Sequence, residues 1–278
     1  MRAERRIVRD LHFDDYWDDP AVSSSTLKKF LQLPTPAHVK HAIDNPSADT
    51  EALILGRLLH CILLEPDRLD SYFVIERAKL WEKTKLGKNG GSKEAWDALK
   101  AEAEALLVPL IPHEMWVKAE AMAANIQALD LWQGIAKHGE KEISVFGEIQ
   151  KQKVKARYDV LYGSAIFDIK STRYGLTDQE IAKVIADNKY HLSASMYLAV
   201  GKAAGLTVDR FVWFFVENTA PFLCRPVEAT PTMLKTGEKE FLYCLSKYKQ
   251  GMEGYWPGYD RDSAYIDLPQ WYRFEDAK

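Results

Sequence analysis

Two carboxylates and a lysine lie close together in the segment that runs from Asp159 to Lys170. The segment has the pattern of two short strands joined at residues 163–164, because a two-residue turn that begins with glycine is typical of a β-hairpin. Such a turn would place Asp159 directly opposite Asp168, with their Cβ atoms about 5 Å apart. Two carboxylates at that distance repel each other unless a positive charge lies between them, and a hard divalent cation meets this need. The pattern therefore predicts a metal site beside Lys170.

An ordinary hairpin with a surface salt bridge between Lys170 and an aspartate is the simpler alternative. Against it, Asp168 interrupts the apolar run 165–169, where a charge without a partner costs free energy. If the two aspartates share a metal, replacement of Asp168 by alanine should abolish the chemistry. It should also raise the melting temperature of the metal-free protein, because it relieves the repulsion with Asp159.

The triplet Asp168-Ile169-Lys170, preceded by Asp159 on the neighbouring strand, resembles the PD-(D/E)xK nuclease superfamily. Other segments resemble its RecB-type branch, and most of all the exodeoxyribonuclease VIII (RecE-type) nuclease domain of phages and prophages. These segments are a serine-rich helix start at 23–26, a Gly-x-x-x-His-x-x-x-Leu-Glu-Pro run at 56–66 and Trp-Pro-Gly-Tyr at 256–259. The resemblance extends from about residue 22 to about residue 271. It implies an α/β fold with the PD-(D/E)xK nuclease core, in which helices flank a mixed central β-sheet, and with a helical N-terminal part.

The resemblance also implies roles for individual residues. Asp159, Asp168 and the carbonyl of Ile169 would hold one or two Mg²⁺ ions, and His60 would be a further ligand. Because imidazole is a common ligand of transition metals, Mn²⁺ should also be accepted. Lys170 would orient or deprotonate the attacking water and offset charge on the phosphate.

Glu142 is a further candidate metal ligand, since family members place an acidic residue near this position. It opens a predicted strand that would run beside the hairpin. A carboxylate in solvent at the edge of a sheet fits the sequence equally well, and Glu140 and Glu148 are rival positions.

Basic residues alternate along the strand that leads to Asp159, namely Lys151, Lys153, Lys155 and Arg157. Alternation with period two places them on one strand face. That face could simply be exposed to solvent, or it could bind DNA phosphates on the way to the metal. The second reading is favoured because the row ends at Asp159.

The helix after the predicted active-site strands departs from the family pattern. RecB-type enzymes usually have Gln-x-x-x-Tyr there, and here Ser193 stands in place of the glutamine while Tyr197 matches the tyrosine. The two positions lie one turn apart on one helix face. Both are predicted to face the DNA, and the shorter serine should reach a phosphate or Lys170 through water.

Composition sets further limits. The chain of 278 residues fits a single nuclease domain, with a flexible arm at 1–20 and a variable helical insertion at 81–131. In the insertion, Trp81 and Trp96 could stack on bases, although packing in the core is the more common role. The three cysteines include no Cys-x-x-Cys pair, which argues against a zinc or iron–sulfur site. A net charge of −3 does not exclude DNA binding, because local patches bind phosphates. With no signal peptide or membrane-spanning run in the sequence, a cytoplasmic location is expected.

The resemblance implies a metal-dependent exodeoxyribonuclease that digests linear double-stranded DNA from a 5′ end for recombination. Its expected partners are DNA ends, a single-strand annealing protein and further copies of the same chain in a ring. An endonuclease of the same superfamily is the alternative enzyme. A catalytically weak protein that binds DNA ends is the alternative outside enzymes.

Overall fold

The computed structural model describes residues 6–77, 90–260, 264, 266–269 and 271–272. Its elements in chain order are β1 (Arg6–Val8), α1 (Phe13–Asp18), α2 (Ser24–Gln32), α3 (Pro36–Asp44), α4 (Glu51–Leu64), α5 (Leu69–Tyr72), β2 (Val74–Ile75), α6 (Gly90–Leu106), β3 (Leu110–Ile111), α7 (His113–Gln127), α8 (Asp130–His138), β4 (Glu140–Ile149), β5 (Gln152–Tyr162), β6 (Ala165–Thr172), α9 (Asp178–Asp187), α10 (Tyr190–Ala204), β7 (Arg210–Glu217), β8 (Cys224–Glu228) and α11 (Pro231–Met252).

A six-stranded sheet in the order β1-β4-β5-β6-β7-β8 lies at the centre. Its strands pair antiparallel except β6 and β7, which are parallel, so the sheet is mixed. A parallel pair needs a crossover connection, and α9 and α10 provide it. The predicted two-residue turn between β5 and β6 is confirmed, because Tyr162 pairs with Ala165 and Gly163 has the positive φ of 60° that such a turn requires. The predicted α/β fold with a mixed central sheet is confirmed as well.

Helices cover both faces of the sheet. One apolar cluster joins it to α2, α9, α10 and α11 and includes the fully buried Tyr158, Trp213 and Phe241. A second cluster joins the other face to α4, α7 and α8 and includes Leu58 and Phe214. Each large apolar side chain that is fully buried contributes about 1.5–3 kcal/mol to stability. Strands β5 and β6 are therefore held between two packed layers, which fixes the positions of polar groups placed on them.

The N-terminal segment differs from the flexible arm that the sequence suggested. Residues 6–8 form strand β1 at the edge of the sheet, and residues 13–18 form helix α1. The segment is attached to β5, because Lys155 Nζ donates hydrogen bonds to the carbonyl oxygens of Tyr16, Trp17 and Asp19 at 2.6, 3.0 and 2.7 Å. The charge-rich composition of the segment gave no sign of these backbone contacts.

The predicted insertion at 81–131 contains α6, β3, α7 and the start of α8, and β3 pairs in parallel with β2, which precedes the insertion. Trp81 lies outside the described residues. Trp96 is half-buried on α6, where Lys100 Nζ lies 5.7 Å from the centroid of its ring. None of the helices in the described ranges has the length and apolar composition that crossing a bilayer would require.

Candidate active site and metal centre

The strands β5 and β6 separate where the predicted catalytic residues lie. Their backbone pairing ends with Val160 and Phe167, one step before Asp159 would pair with Asp168. In place of the next ladder bond, Asp159 Oδ2 accepts a hydrogen bond from the amide of Ile169 at 2.6 Å. The prediction that the two aspartates are directly opposed in a continuous hairpin is therefore wrong in this detail. The carboxylate of Asp159 reaches across the gap, because it replaces a backbone acceptor.

A third carboxylate, that of Glu142, lies on β4, the strand that pairs with β5 on the edge away from β6. The β4–β5 register pairs the residues on both sides of Glu142 with those on both sides of Asp159, so that these two residues face each other. Glu142 has a positive φ of 50°, which is uncommon for a residue other than glycine and interrupts the ladder at this point. Glu142, Asp159 and Asp168 thus form one row across β4, β5 and β6, called the acidic row below.

His60 on α4 contacts this row from the second helical layer. Its Nε2 lies 3.0 Å from the carbonyl oxygen of Ile169, and its Nδ1 lies 3.6 Å from Asp159 Oδ1. His60, Glu142 and Asp159 each offer a ligand atom, and these atoms lie within 4.8 Å of one another. Three residues that are distant in sequence, from a helix and two strands, therefore converge at one point.

The contacts of His60 define which of its nitrogens is free to bind a metal. A carbonyl oxygen only accepts hydrogen bonds, so Nε2 must donate to Ile169. Burial, followed by the charge of Lys170, lowers the pKa of His60, so the ring is neutral at pH 7 and Nδ1 has a free lone pair. Nδ1 and an ionised Asp159 Oδ1 are then two acceptors that face each other, which is an arrangement that a cation would satisfy.

Two basic side chains partly neutralise the acidic row. Lys170 Nζ lies 2.6 Å from Asp168 Oδ2, and Arg157 Nε donates a hydrogen bond to Glu142. Asp159 forms no ion pair with a lysine or arginine of the described chain. Burial, followed by the charge of Asp168, raises the pKa of Asp159 well above the ordinary range. Burial and Asp159 in turn raise the pKa of Glu142 to about 7.

The residues present fit a divalent cation. Oxygen donors suit Mg²⁺, and a histidine among them suits Mn²⁺. Burial, followed by repulsion from a neighbouring carboxylate, raises the pKa of both Asp159 and Glu142, and a dication between them would offset both effects. Among the rival positions, Glu140 pairs with Arg9 and Glu148 is exposed, so the geometry favours Glu142.

Two further predicted ligands, Asp168 and the carbonyl of Ile169, already contact donor groups of the protein. Asp168 belongs to the row, but its nearest cation is the ammonium of Lys170, 2.6 Å away. The carbonyl of Ile169 accepts hydrogen bonds from His60 Nε2 at 3.0 Å and from Lys170 Nζ at 3.3 Å. Metal ligation by Asp168 and by this carbonyl stays a prediction that requires both donors to move.

The predicted basic track for DNA along β5 is contradicted at two of its positions. Lys155 and Arg157 are only 5% and 9% exposed. Lys155 donates to the N-terminal segment, while Arg157 contacts Glu142, Glu65 and the carbonyl of Leu11. The alternation with period two was read correctly, but the N-terminal segment covers that face. Lys151 and Lys153 remain exposed at the far end of the strand.

The helix face with Ser193 and Tyr197 lies next to the site. Burial is the main cause that raises the pKa of the Tyr197 hydroxyl, and the negative charges of Asp168 and Asp159 raise it further. Tyr190 lies on the same face, and the Lys170 ammonium is 5.6 Å from the centroid of its ring. Ser193 lies between the two tyrosines and is 8% exposed, and its Oγ is buried without a hydrogen-bond partner.

Lys28 also lies at the site, although no sequence motif marked it as a functional residue. This residue of α2 lies beside Tyr190, with its Nζ 4.9 Å from the ring centroid, and it interacts with Lys170 and Asp168. The available signal was its position, one helical turn after Ser24 in the serine-rich helix start. Glu65, which lies 3.5 Å from Arg157, was likewise treated only as part of a motif.

Replacement of His60 by alanine should weaken metal affinity, because it removes the one nitrogen donor of the convergent set. Raising the Mn²⁺ concentration should then partly restore both the metal-induced rise in melting temperature and any metal-dependent activity. A titration of melting temperature against Mn²⁺ measures the affinity directly. His113, which contacts Glu76 away from the row, gives a matched control in His113→Ala. A wild-type titration curve for His60→Ala would show that His60 has only a packing role.

Comparison with known proteins agrees with this geometry. A search of curated proteins finds no match. The crystal structure of a protein from Eubacterium rectale, described as a "putative exonuclease", superposes with a TM-score of 0.62 at 14% identity. The alignment covers 89% of this chain and 88% of that chain, and at this identity it supports the fold alone. A family model described as a PDDEXK-like domain of unknown function (DUF3799) matches residues 23–269, which include the acidic row, His60 and Lys170. The chain therefore belongs to this family of the PD-(D/E)xK superfamily, which supports a nuclease-type function.

Proposed function

We propose that the protein is a metal-dependent exodeoxyribonuclease that hydrolyses phosphodiester bonds of linear double-stranded DNA. The observation on which this rests is the convergence of His60, Glu142 and Asp159, with Lys170 held on Asp168 at the next strand. The proposed cofactor is Mg²⁺, and the enzyme is expected to work with Mn²⁺ as well.

A bound dication would lower the pKa of a water molecule and stabilise charge on the phosphate oxygens. The chain supplies the remaining functions. Hydrogen bonds hold two ligands of the acidic row in position, since Asp159 accepts from the amide of Ile169 and Glu142 accepts from Arg157. Lys170 offers an ammonium group at the edge of the row, where it would donate hydrogen bonds to the reacting phosphate or to the water.

The approach to His60 is open along its own helix. Gly56 lies one turn before His60 on the same face, and a Cβ placed on Gly56 would have no heavy atom within 4 Å. Packing in the described chain therefore does not require glycine here. Free space beside the metal centre suits a DNA backbone that must come close to the helix.

The exonuclease assignment, digestion from a 5′ end and a role in recombination rest on the resemblance to RecE-type enzymes. A single-strand annealing protein is the partner that fits a 3′ overhang left by such digestion. A ring of several copies around DNA is proposed by the same analogy.

The test is a digestion assay with linear and closed circular duplex of one sequence, each with Mg²⁺, Mn²⁺ or EDTA. Substrates labelled separately at the 5′ and 3′ ends report polarity. Degradation of the linear form alone, dependent on metal and releasing the 5′ label first, is the expected result.

Other outcomes identify the alternatives. Cleavage of both forms would indicate an endonuclease, and binding without cleavage in either metal would indicate a protein that binds DNA ends. Release of the 3′ label first would reverse the proposed polarity. Activity that persists in EDTA would contradict the metal centre.

A further inference from the structure

Two lysines from different elements flank one tyrosine ring beside the acidic row. The Nζ atoms of Lys28 on α2 and Lys170 on β6 lie 4.9 and 5.6 Å from the ring centroid of Tyr190 on α10. Lys170 also pairs with Asp168. No carboxylate of the described chain pairs with Lys28 in the same way.

The position of Lys28 is unfavourable for a chain with no ligand bound. Burial, followed by the neighbouring charge of Lys170, lowers its pKa to about 7. Like charges that approach each other in a poorly solvated site cost free energy unless an anion joins them. Within this fold, Asp168 is already engaged by Lys170, so an external anion would be the missing partner of Lys28.

A second polar group without a partner lies on the same helix. The Oγ of Ser193 is buried and forms no hydrogen bond, although a hydroxyl in a protein interior is normally paired. Ser193 follows Tyr190 by three residues and therefore lies on the face of α10 that Lys28 and Lys170 contact. An ammonium group and a hydroxyl are donors that match the oxygens of a phosphate.

We propose that Lys28, Tyr190 and Ser193 form a phosphate-binding subsite beside the acidic row, which holds a DNA phosphate next to the one that is cleaved. Lys28 supplies the charge, Ser193 supplies a hydrogen bond and Tyr190 fixes the lysine over its ring. The inference rests on the proposed nuclease function and deepens it, since it assigns a substrate contact outside the metal centre. The ligand is either an internal phosphodiester or a terminal phosphate of the DNA.

The test measures DNA binding without turnover. In EDTA, and on an Asp159→Asn background that removes part of the repulsion, fluorescence anisotropy gives the affinity of a blunt duplex at several salt concentrations. Lys28→Met keeps the length of the side chain and its contact with Tyr190 but removes the charge. The matched control is Lys202→Met, which removes an exposed lysine at the other end of α10.

Loss of one phosphate contact lowers the slope of log K against log salt by about 0.9. Lys28→Met should show this change, together with about tenfold weaker binding at low salt, whereas Lys202→Met should not. The melting temperature of Lys28→Met should not fall, because the variant removes a partly buried charge that forms no ion pair in the described chain. Ser193→Ala should weaken binding by a smaller factor and also keep its melting temperature, because its hydroxyl has no partner to lose.

Duplexes that end in a 5′ phosphate or a 5′ hydroxyl separate the two sources of phosphate. An equal effect of Lys28→Met on both indicates an internal phosphodiester, and an effect on the phosphorylated duplex alone indicates a terminal phosphate. If the Asp159→Asn protein binds DNA and Lys28→Met matches the Lys202→Met control, the subsite is refuted while the nuclease proposal stands. If the wild-type protein degrades no DNA but Lys28→Met still lowers the slope, the nuclease proposal fails and the subsite stands.

Discussion

Asp159→Asn is expected to abolish metal-dependent DNA cleavage, by about 10³-fold or more, and at the same time to raise the melting temperature of the metal-free protein. The loss of activity follows because Asp159 is the central residue of the acidic row and a member of the convergent ligand set. The gain in stability follows because the asparagine Oδ1 still accepts the hydrogen bond from Ile169, while the buried negative charge is gone.

The stability gain should depend on pH in a defined direction. Burial and Asp168 raise the pKa of Asp159 in the folded state above the unfolded value of about 3.9. The folded protein therefore binds this proton more tightly, and its stability falls as the pH rises from about 4 through the raised pKa. At a pH above the raised pKa, each unit by which the pKa is raised lowers the free energy of unfolding by about 1.4 kcal/mol. A change of 1 kcal/mol in turn shifts the melting temperature by on the order of 2–4 °C. The difference between Asp159→Asn and wild type in EDTA should accordingly grow from pH 4 to pH 8.

A scan of melting temperature with pH, in EDTA and in Mn²⁺, tests this expectation. Mn²⁺ should stabilise the wild type more at high pH, where protons no longer compete for the ligands, and should stabilise Asp159→Asn much less. Asp168→Asn is the informative comparison. Loss of the Asp168 carboxylate leaves the Lys170 ammonium without the negative charge that lies 2.6 Å away in the wild type. This variant should therefore lose activity without gaining stability. A metal-free Asp159→Asn protein that is less stable than wild type at pH 8 would contradict the account.

Part of the site could be predicted from local sequence. The hairpin turn and the grouping of Asp159 with Asp168 and Lys170 follow from period-two alternation and turn chemistry, which act over a few residues. The approach of His60 could not be obtained in this way, since it lies 109 residues before its contact at Ile169. That His60 would lie at the metal site was anticipated only through the resemblance to a family.

The errors have physical causes as well. An alternating basic strand has one pattern whether its face meets solvent, DNA or another part of the chain. Lys155 and Arg157 donate to backbone carbonyl oxygens of the N-terminal segment, which every residue has, so the pattern of side chains does not identify these contacts. The aspartates of the segment, two of which act on Lys155, fit a solvated surface equally well. The expectation that loss of Asp168 would stabilise the metal-free protein now passes to Asp159 for a similar reason. The sequence allowed a salt bridge between Lys170 and an aspartate, but strand pattern did not decide that Lys170 would pair with Asp168 and leave Asp159 without an ion pair to lysine or arginine in the described chain.

Arg157 has a positioning role that follows from the same contacts. Its guanidinium joins Glu142, Glu65 and the carbonyl of Leu11, and thus connects the acidic row to α4 and to the N-terminal segment. A side chain that is 9% exposed in this position fixes the direction of Glu142, which has strained backbone geometry. The N-terminal segment is therefore coupled to the metal centre through one arginine.

Lys170→Met should reduce turnover by about 10²–10⁴-fold without weakening metal binding. Although burial opposes it, the charges of Asp168 and Asp159 raise the pKa of Lys170, so the free protein holds it as an ammonium that donates hydrogen bonds. In the wild type, Lys170 Nζ lies 5.6 Å from the ring centroid of Tyr190. Methionine has nearly the same length and keeps this contact with the ring.

The contact between Lys170 and Asp168 explains why turnover should fall while metal binding is kept. Loss of the ammonium frees Asp168 from its partner at 2.6 Å, so the acidic row becomes more negative and its affinity for a dication should stay the same or rise. Titration of melting temperature with Mn²⁺ measures that affinity, and single-turnover cleavage at saturating Mn²⁺ measures the chemical step. A ligand variant such as His60→Ala should show the opposite pattern, with weaker metal binding and rescue by excess Mn²⁺. Wild-type turnover in Lys170→Met would remove the lysine from the mechanism, and weakened metal binding would mean that it positions the ligands instead of acting on the phosphate or the water.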